Sequence, residues 1–287
     1  MVSEAQQAPL VAGLYFVATP IGNARDITLR ALDILRSADV LVAEDTRTLR
    51  RLMEIHGVPL GGRRVLAYHD HNGAAMRPKL IDAVRQGKSV AYASDAGTPL
   101  VADPGYSLGR AMSEAELSVT TAPGPSAALA ALTLSGLPSD CFVFAGFAPT
   151  AKSARQTFLK SFRDVAGTLI LFESPRRLSA LLGVAVDVLG PDREAAVCRE
   201  LTKRFEEVRR GTLADLVEHY EGVVPKGEIV VCVAKGSTEV DPARVRDAMI
   251  EAMKTQKLKA AANDVADRFG LSKRDLYQLG LAIQSED

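Results

Sequence analysis

The sequence predicts two α/β layers, the first on a mostly parallel sheet and the second on a mixed sheet, plus a small C-terminal helical region. Three observations carry this. Short β-rich runs alternate with helix-length amphipathic segments over residues 13–135. Near Pro138 the rhythm changes, and two strand-like runs follow too closely for a crossover helix. Beyond residue 236 only helical periodicity remains. The expected boundaries are therefore 1–122, 123–236 and 237–287. The 287 residues suit about two full domains at ~150 residues each.

Each element has its own signal. Residues 14–18 form a strand run stopped by Pro20 and Gly22. Residues 26–38 read as a helix, with Ile27, Leu29, Leu32, Ile34 and Leu35 as the apolar stripe. Strands at 39–43, 64–68, 89–94 and 117–122 alternate with helices at 46–56, 74–86, 105–114 and 126–135. Five such alternations imply parallel strands with helices on both faces. In the second layer, 142–147 and 168–172 read as strands, and 153–162 and 176–189 as helices. Residues 195–200 and 205–211 read as an antiparallel hairpin, then a helix at 213–220 and a last strand at 228–234. Residues 259–269 and 273–281, joined by Gly270-Leu271-Ser272, have helix-turn-helix proportions. A helical cap and a nucleic-acid contact both fit that tail, whose span 244–274 carries eight Lys or Arg and four Asp or Glu.

Composition narrows the function. Hydrophobic residues make up 47% and charged residues 24%, which excludes disordered and collagen-like chains. Zero net charge argues against a polyanion-coating protein. Aromatics at 5% and no Trp argue against a broad base-stacking platform. Cys141, Cys198 and Cys232 lie far apart in apolar runs, as expected of buried thiols in a reducing compartment. The first ten residues carry Glu4 and no basic residue, unlike a secretory signal. No apolar run reaches the ~20 residues needed to cross a bilayer. The expected location is the cytoplasm.

The chemistry-bearing residues gather at predicted strand ends, where open α/β sheets bind ligands. The first such loop, 18–23, is not GxGxxG, so a dinucleotide pyrophosphate would lack its usual cradle. At 44–48, Asp45 fits either a helix cap or a substrate clamp. The 68–73 loop holds His69 and His71 in a His-x-His pattern, better suited to touching substrate than to a metal, since no third ligand is near. Loop 94–105 has two Gly and two Pro, which fix a long loop and present backbone groups to a ligand. Asp95 is placed there for ribose hydroxyls or a cation. Gly124, before the small-residue helix at Ser126, permits close backbone approach, for a ligand or a tight linker. Loops 172–177 and 199–207 mix carboxylates with Arg or Lys, as ion pairs or phosphate contacts.

Taken together, VATPIGN (17–23), AEDTR (43–47), HDHN (69–72), SDAGTPLVADPG (94–105), APGPSA (122–127), FESPRR (172–177), RELTKRFEE (199–207) and KGEIVV (226–231) occur in this order. The chain thereby resembles the bacterial small-subunit ribosomal RNA cytidine 2′-O-methyltransferase I family, of the tetrapyrrole methylase-like group. The resemblance covers residues 13–235, with a weaker match in the tail. It implies S-adenosylmethionine as methyl donor, S-adenosylhomocysteine as product, no metal, a donor cleft between two α/β domains, and a homodimer. The implied product is a 2′-O-methylated cytidine in the decoding region of small-subunit ribosomal RNA.

The matching donor-site residues are Pro20, Asp95, Thr98, Pro99, Leu100, Val101, Ala102, Ser126, Ala127 and Phe172. Motif residues not needed for the donor are assigned to RNA: Arg47, Asn72, Arg176, Lys203 and Arg204. The hydroxyl must lose a proton, and Asp45, His71 and Glu173 are the candidate acceptors. A small-molecule methyltransferase of the same fold is the nearest alternative. A non-catalytic RNA- or ribosome-binding protein using its tail comes next, separated by whether S-adenosylhomocysteine binds. The missing GxGxxG makes a nicotinamide oxidoreductase the weakest.

Overall fold

The computed structural model describes residues 9–69, 72–236, 242–269 and 271–286. The chain divides into two compact units, Met1–Lys235 and Gly236–Asp287. Two five-stranded sheets make up the first.

The first sheet comprises β1 (Gly13–Val17), β2 (Val40–Ala43), β3 (Val65–Ala67), β4 (Ser89–Ala93) and β5 (Val119–Ala122), ordered β3-β2-β4-β1-β5. Every pairing is parallel. The central β4, SVAYA, is buried at all five positions, as a strand covered on both faces must be. Helices α1 (Leu29–Ser37) and α2 (Thr46–Ile55) close one face through Leu32, Leu35, Leu49 and Met53. Helices α3 (Gly73–Arg85) and α4 (Tyr106–Glu114) close the other through Leu80, Val84, Leu108 and Met112.

The strand order creates a crevice. The connection after β2 leaves toward β3, whereas the connection after β4 crosses β1 to reach β5. Neighbouring strands whose connections diverge open a gap at their carboxyl ends, the usual ligand position in such sheets.

Helix α1 starts later than its apolar stripe suggests. Thr28 is the N-cap, its hydroxyl accepting the Ala31 N–H at 3.1 Å. Residues 26 and 27 lie outside it, Asp26 N–H closing a turn on the Asn23 carbonyl.

The second sheet is mixed. It contains β6 (Phe142–Phe147), β7 (Thr168–Glu173), β8 (Glu194–Arg199), β9 (Glu207–Thr212) and β10 (Ile229–Val233), ordered β6-β7-β10-β8-β9. Only β6 and β7 are parallel. The hairpin of β8 and β9 pairs in unbroken register from Glu194↔Thr212 to Arg199↔Glu207. Helices α6 (Lys152–Lys160), α7 (Leu178–Leu189) and α8 (Leu213–His219) cover one face. One turn of 3-10 helix, Pro175–Arg177, precedes α7 where the sequence reads as continuous helix.

Helix α5 (Ala127–Ser135) packs on the second sheet's other face, with Ala128, Ala131 and Leu132 against Ile170, Ala196, Cys198 and Val230. Cys198 and Cys232 are buried there, but Cys141, expected to be buried, is exposed just before edge strand β6.

The described residues of the second unit form α9 (Pro242–Thr255), α10 (Leu258–Phe269) and α11 (Lys273–Glu286). Its own core includes Val245, Met249, Val265, Leu276 and Ile283. Among the described residues no helix is long and apolar enough to cross a membrane.

Candidate functional site

Three loops are fastened together beyond β1, β4 and β5. Thr19 and Gly97 exchange backbone hydrogen bonds, each 2.9 Å. The Thr19 hydroxyl donates to the Ser94 carbonyl at 3.1 Å, and the Ser94 hydroxyl donates to the Gly97 carbonyl at 2.9 Å. Thr98 Oγ1 donates to the Pro125 carbonyl at 2.9 Å. A Cβ at Gly124 would stand 3.0 Å from Ala18 Cβ, so the segment before α5 lies directly on the β1 loop. The contact fits the tight-linker reading of Gly124.

The 94–105 loop is held in a costly shape. Leu100 and Ala102 have φ of 73° and 63°, a left-handed conformation costing about 1–3 kcal/mol for each residue with a Cβ. Tyr92, whose ring is fully buried, donates its hydroxyl to the Pro104 carbonyl at 2.9 Å and anchors the far end. Strain of this kind persists where surrounding contacts enforce it, and here they leave the Leu100 side chain 39% exposed.

The residues expected at the donor site combine a carboxylate with apolar walls. Asp95 is half-buried; its Oδ1 accepts the Asp45 N–H at 2.8 Å, while Oδ2 accepts no hydrogen bond among the described residues. One carboxylate oxygen is thus fixed by the fold and one is left for a hydroxyl or cationic group. Apolar walls come from Ile21, beside Pro20, and from Ala127 and Phe172, all in one cluster. Phe172 meets Phe144 and Phe147 edge to face at 4.7 and 5.7 Å, and Phe147 remains 55% exposed. Ser126 caps α5, its hydroxyl accepting the Leu129 N–H.

The acidic end of β2 is largely self-engaged. Asp45 caps α2 by accepting the Arg47 N–H at 2.8 Å, and its carboxylate pairs with the Arg47 guanidinium at 2.6 Å. Hydrogen bonds from the Arg47 side chain and then its backbone hold Asp45 down at about 2. Asn72 uses both ends of its amide on its own loop, accepting the His69 N–H and donating to the Ala67 carbonyl. His71 lies outside the described residues. No group of His, Cys, Asp and Glu suited to a metal ion occurs among the described residues.

In the second sheet, Glu173 points inward with a fully buried side chain. It pairs with Arg177 at 3.1 Å and accepts the Ser174 N–H at 2.8 Å. Arg176 is exposed beside it. Lys203 is clamped between Glu200 at 2.8 Å and Glu228 at 3.0 Å, whereas Arg204 lies exposed over the Phe205 ring, 5.4 Å from its centre. The 200–206 loop also reaches the β1 loop, where the Asn23 N–H donates to Thr202 Oγ1 at 3.1 Å.

A cavity of about 420 Å³ opens at the diverging ends of β2 and β4, lined by Glu44, Tyr68, Arg77, Asp103 and Tyr106 among others. Sequence reasoning assigned none of these a role. Asp103 sits within the 94–105 motif, but Asp-Pro-Gly reads as turn punctuation. Arg77 carries no local signal, since only the fold brings α3 to this edge.

Residues 13–217 match the family described as Tetrapyrrole (Corrin/Porphyrin) Methylases, and residues 239–284 match the RsmI C-terminal HTH domain. Among solved structures, a uroporphyrin-III-C-methyltransferase from Thermus thermophilus superposes with a TM-score of 0.55 at 24% identity, covering 78% of this chain and 94% of that one. The two-sheet body is therefore of the tetrapyrrole methylase class. A Mesorhizobium japonicum protein named ribosomal RNA small subunit methyltransferase I is 49% identical over 284 residues, 98% of this chain and 96% of that protein. Its namesake from Erythrobacter litoralis is 46% identical over 279 residues, 96% of this chain and 97% of that protein. The chain belongs to the ribosomal RNA small subunit methyltransferase I family.

Proposed function

We propose that the chain methylates the 2′-hydroxyl of a cytidine in the decoding region of small-subunit ribosomal RNA, using S-adenosylmethionine and no metal, as a cytoplasmic homodimer. The domain division 1–122, 123–236 and 237–287 belongs to the same proposal. The observation that carries it is the fastened trio of loops, with Asp95 Oδ2 accepting no hydrogen bond among the described residues. The relatives' printed name supplies the ribosomal RNA substrate.

When bound, S-adenosylmethionine supplies an activated methyl group on a sulfonium sulfur, which leaves as the neutral thioether of S-adenosylhomocysteine. The chain's task is alignment. Pro20, Thr98, Pro99, Leu100, Val101 and Ala102 give the donor a rigid wall, because hydrogen bonds from Thr19, Ser94 and Thr98 fix their backbone. Asp95, Ser126, Ala127 and Phe172 complete it. Arg47, Asn72, Arg176, Lys203 and Arg204 remain the proposed RNA residues, with Arg176 and Arg204 the best exposed for phosphate. The clamped Lys203 orders its loop as well.

Methyl transfer from labelled donor to unmethylated small subunits, read by nucleoside mass spectrometry, tests the reading. A new 2′-O-methylcytidine is expected; methyl on a base or on a tetrapyrrole sinks it. Asp95→Ala is expected to weaken S-adenosylhomocysteine binding by about tenfold or more in calorimetry, the cost of about one charge-assisted hydrogen bond. Unchanged affinity removes Asp95 from the donor site. The double variant Arg176→Ala, Arg204→Ala is expected to lower the slope of log affinity against log salt by about 1.4 for single-stranded decoding-region RNA, about 0.7 per phosphate contact. An unaltered slope means that neither residue touches phosphate.

A further inference from the structure

We infer that the cavity between the ends of β2 and β4 seats the acceptor nucleotide, with Arg77 toward a phosphate and Asp103 toward the ribose, and that Asp103 is the catalytic residue that takes the 2′-hydroxyl proton. This rests on the methyl-transfer reading above and names the seat of its substrate.

Placement is the first argument. The cavity lies where the connections after β2 and β4 diverge, the crevice in which such sheets bind ligands. Its volume of about 420 Å³ is within the usual range of small-molecule pockets, about 300–1,000 Å³. Asp103 lines it directly after residues 98–102, the stretch assigned to the donor, and Ala102 lines it too, so donor and acceptor would meet across one short segment.

The lining chemistry is the second. Arg77 brings a guanidinium whose buried Nε has no hydrogen-bond partner among the described residues. Arg77 lines the cavity, and arginine is the residue suited to phosphate. Tyr106 stands 66% exposed and offers an aromatic face on which an unstacked base can rest. A target nucleotide must leave its stack to reach such a pocket, which single-stranded RNA allows at low cost.

Asp103 is better placed for the proton than Asp45 or Glu173. Asp45 is held down by Arg47 and is a weak base; Glu173 is sealed against Arg177. Asp103 accepts no hydrogen bond among the described residues. Glu44 just past β2 and Asp95 from the β4 loop face it, Tyr92 lies beneath, and His69, Arg77 and Tyr106 share the cavity. Burial first, then Glu44 and Asp95, push its carboxyl up to about 7. A base is most effective when its pKa lies near the working pH. As the ribose hydroxyl gives its proton to an Asp103 carboxylate oxygen, the hydroxyl oxygen's electron pair bonds the methyl carbon and the carbon–sulfur pair leaves with sulfur. The proton then passes to solvent at the cavity mouth.

The test uses the full chain, wild type, Asp103→Asn, Asp103→Glu and Arg77→Ala, with cytidine 3′,5′-bisphosphate as the binding probe and small subunits as substrate. Asp103→Asn is expected to slow single-turnover methylation by about 10²–10⁴-fold, the usual contribution of a general base. Its S-adenosylhomocysteine affinity, measured by calorimetry, should stay within about twofold, a change too small for a lost donor contact. The wild-type rate should rise with pH to a plateau through about 7, a step absent from Asp103→Asn and restored in part by Asp103→Glu. Arg77→Ala should weaken the bisphosphate by about tenfold, as for one lost charged contact, and leave the donor product bound as before. Turnover by Asp103→Asn within about fivefold of wild type, with the same pH profile, overturns the proton role. Nucleotide-induced NMR shifts remote from Arg77 and Asp103 overturn the seat. If the wild type binds no S-adenosylhomocysteine, the methyl-transfer reading falls and takes this inference with it; if it binds while Asp103→Asn stays active, only the inference falls.

Discussion

Arg177→Ala is expected to lower folding stability by about 3 kcal/mol in equilibrium urea unfolding, near the low end of the range for breaking a buried ion pair. The cause lies on the other side of the pair. Glu173 has no exposed side-chain surface, whereas Arg177 keeps 28% of its own. Removing the cation leaves a carboxylate sealed at the end of β7, with the Ser174 N–H its remaining hydrogen-bond partner among the described residues. Arg177 also donates to the Ala148 carbonyl, so its loss frees a second acceptor. The rest of the second core, including Leu178 and Leu182, packs immediately after this turn and transmits any shift into α7. Glu173→Gln should cost about 1–2 kcal/mol, because its amide oxygen still accepts the Ser174 N–H. A loss under about 1 kcal/mol for Arg177→Ala is the value of a solvated pair and rejects the buried one.

That pair also shows where sequence reasoning stops. FESPRR displays carboxylate and guanidinium side by side, and the local pattern fits an ion pair and a phosphate site equally. Which arginine turns inward depends on the 3-10 turn at Pro175–Arg177, which sends Arg177 back over Glu173 and leaves Arg176 outside. Lys203 is similar. Its partner Glu228 lies 25 residues away in sequence, and only the pairing of β8 with β10 brings the two together.

The fold itself was far more legible. Parallel strands announced themselves through the spacing of apolar runs, and the β8–β9 hairpin through the absence of room for a helix. Helix α5 was harder, since its run of Ala and Leu is apolar all round and names no face. Its small side chains let it sit against the second sheet although it follows a strand of the first. Cys141 misled for a related reason: an apolar neighbourhood predicts burial, but the residue precedes an edge strand and has nothing over it. Asp103 was hidden because its importance is collective. Glu44 lies in a different stretch of sequence from Asp95 and Asp103, and the three share an environment only once β2 and β4 are neighbours.

Gly22→Val is expected to weaken S-adenosylhomocysteine binding by at least about tenfold, equivalent to about 1.4 kcal/mol or one to two hydrogen bonds. An added Cβ would stand 2.5 Å from Lys203 Cγ, 2.7 Å from Thr202 Oγ1 and 3.0 Å from the Leu201 carbonyl oxygen. One of the two loops must move. The 200–206 loop resists: Thr202 N–H donates to Glu206 at 2.7 Å, Lys203 is held by two carboxylates, and Glu200 and Thr202 already occupy left-handed conformations. The β1 loop therefore yields, carrying Pro20 and Ile21 with it and loosening the Thr19–Gly97 bridge that shapes the donor wall. Gly183→Ala on α7, where a Cβ meets nothing within 4 Å, is the matched control and should leave affinity unchanged. Thermal unfolding separates the two ways in which Gly22→Val can act. A lost affinity with a midpoint near wild type places the damage in the donor site, as the geometry requires. Retained affinity would mean that the loop contact only joins the two sheets and that the donor is held without the β1 loop.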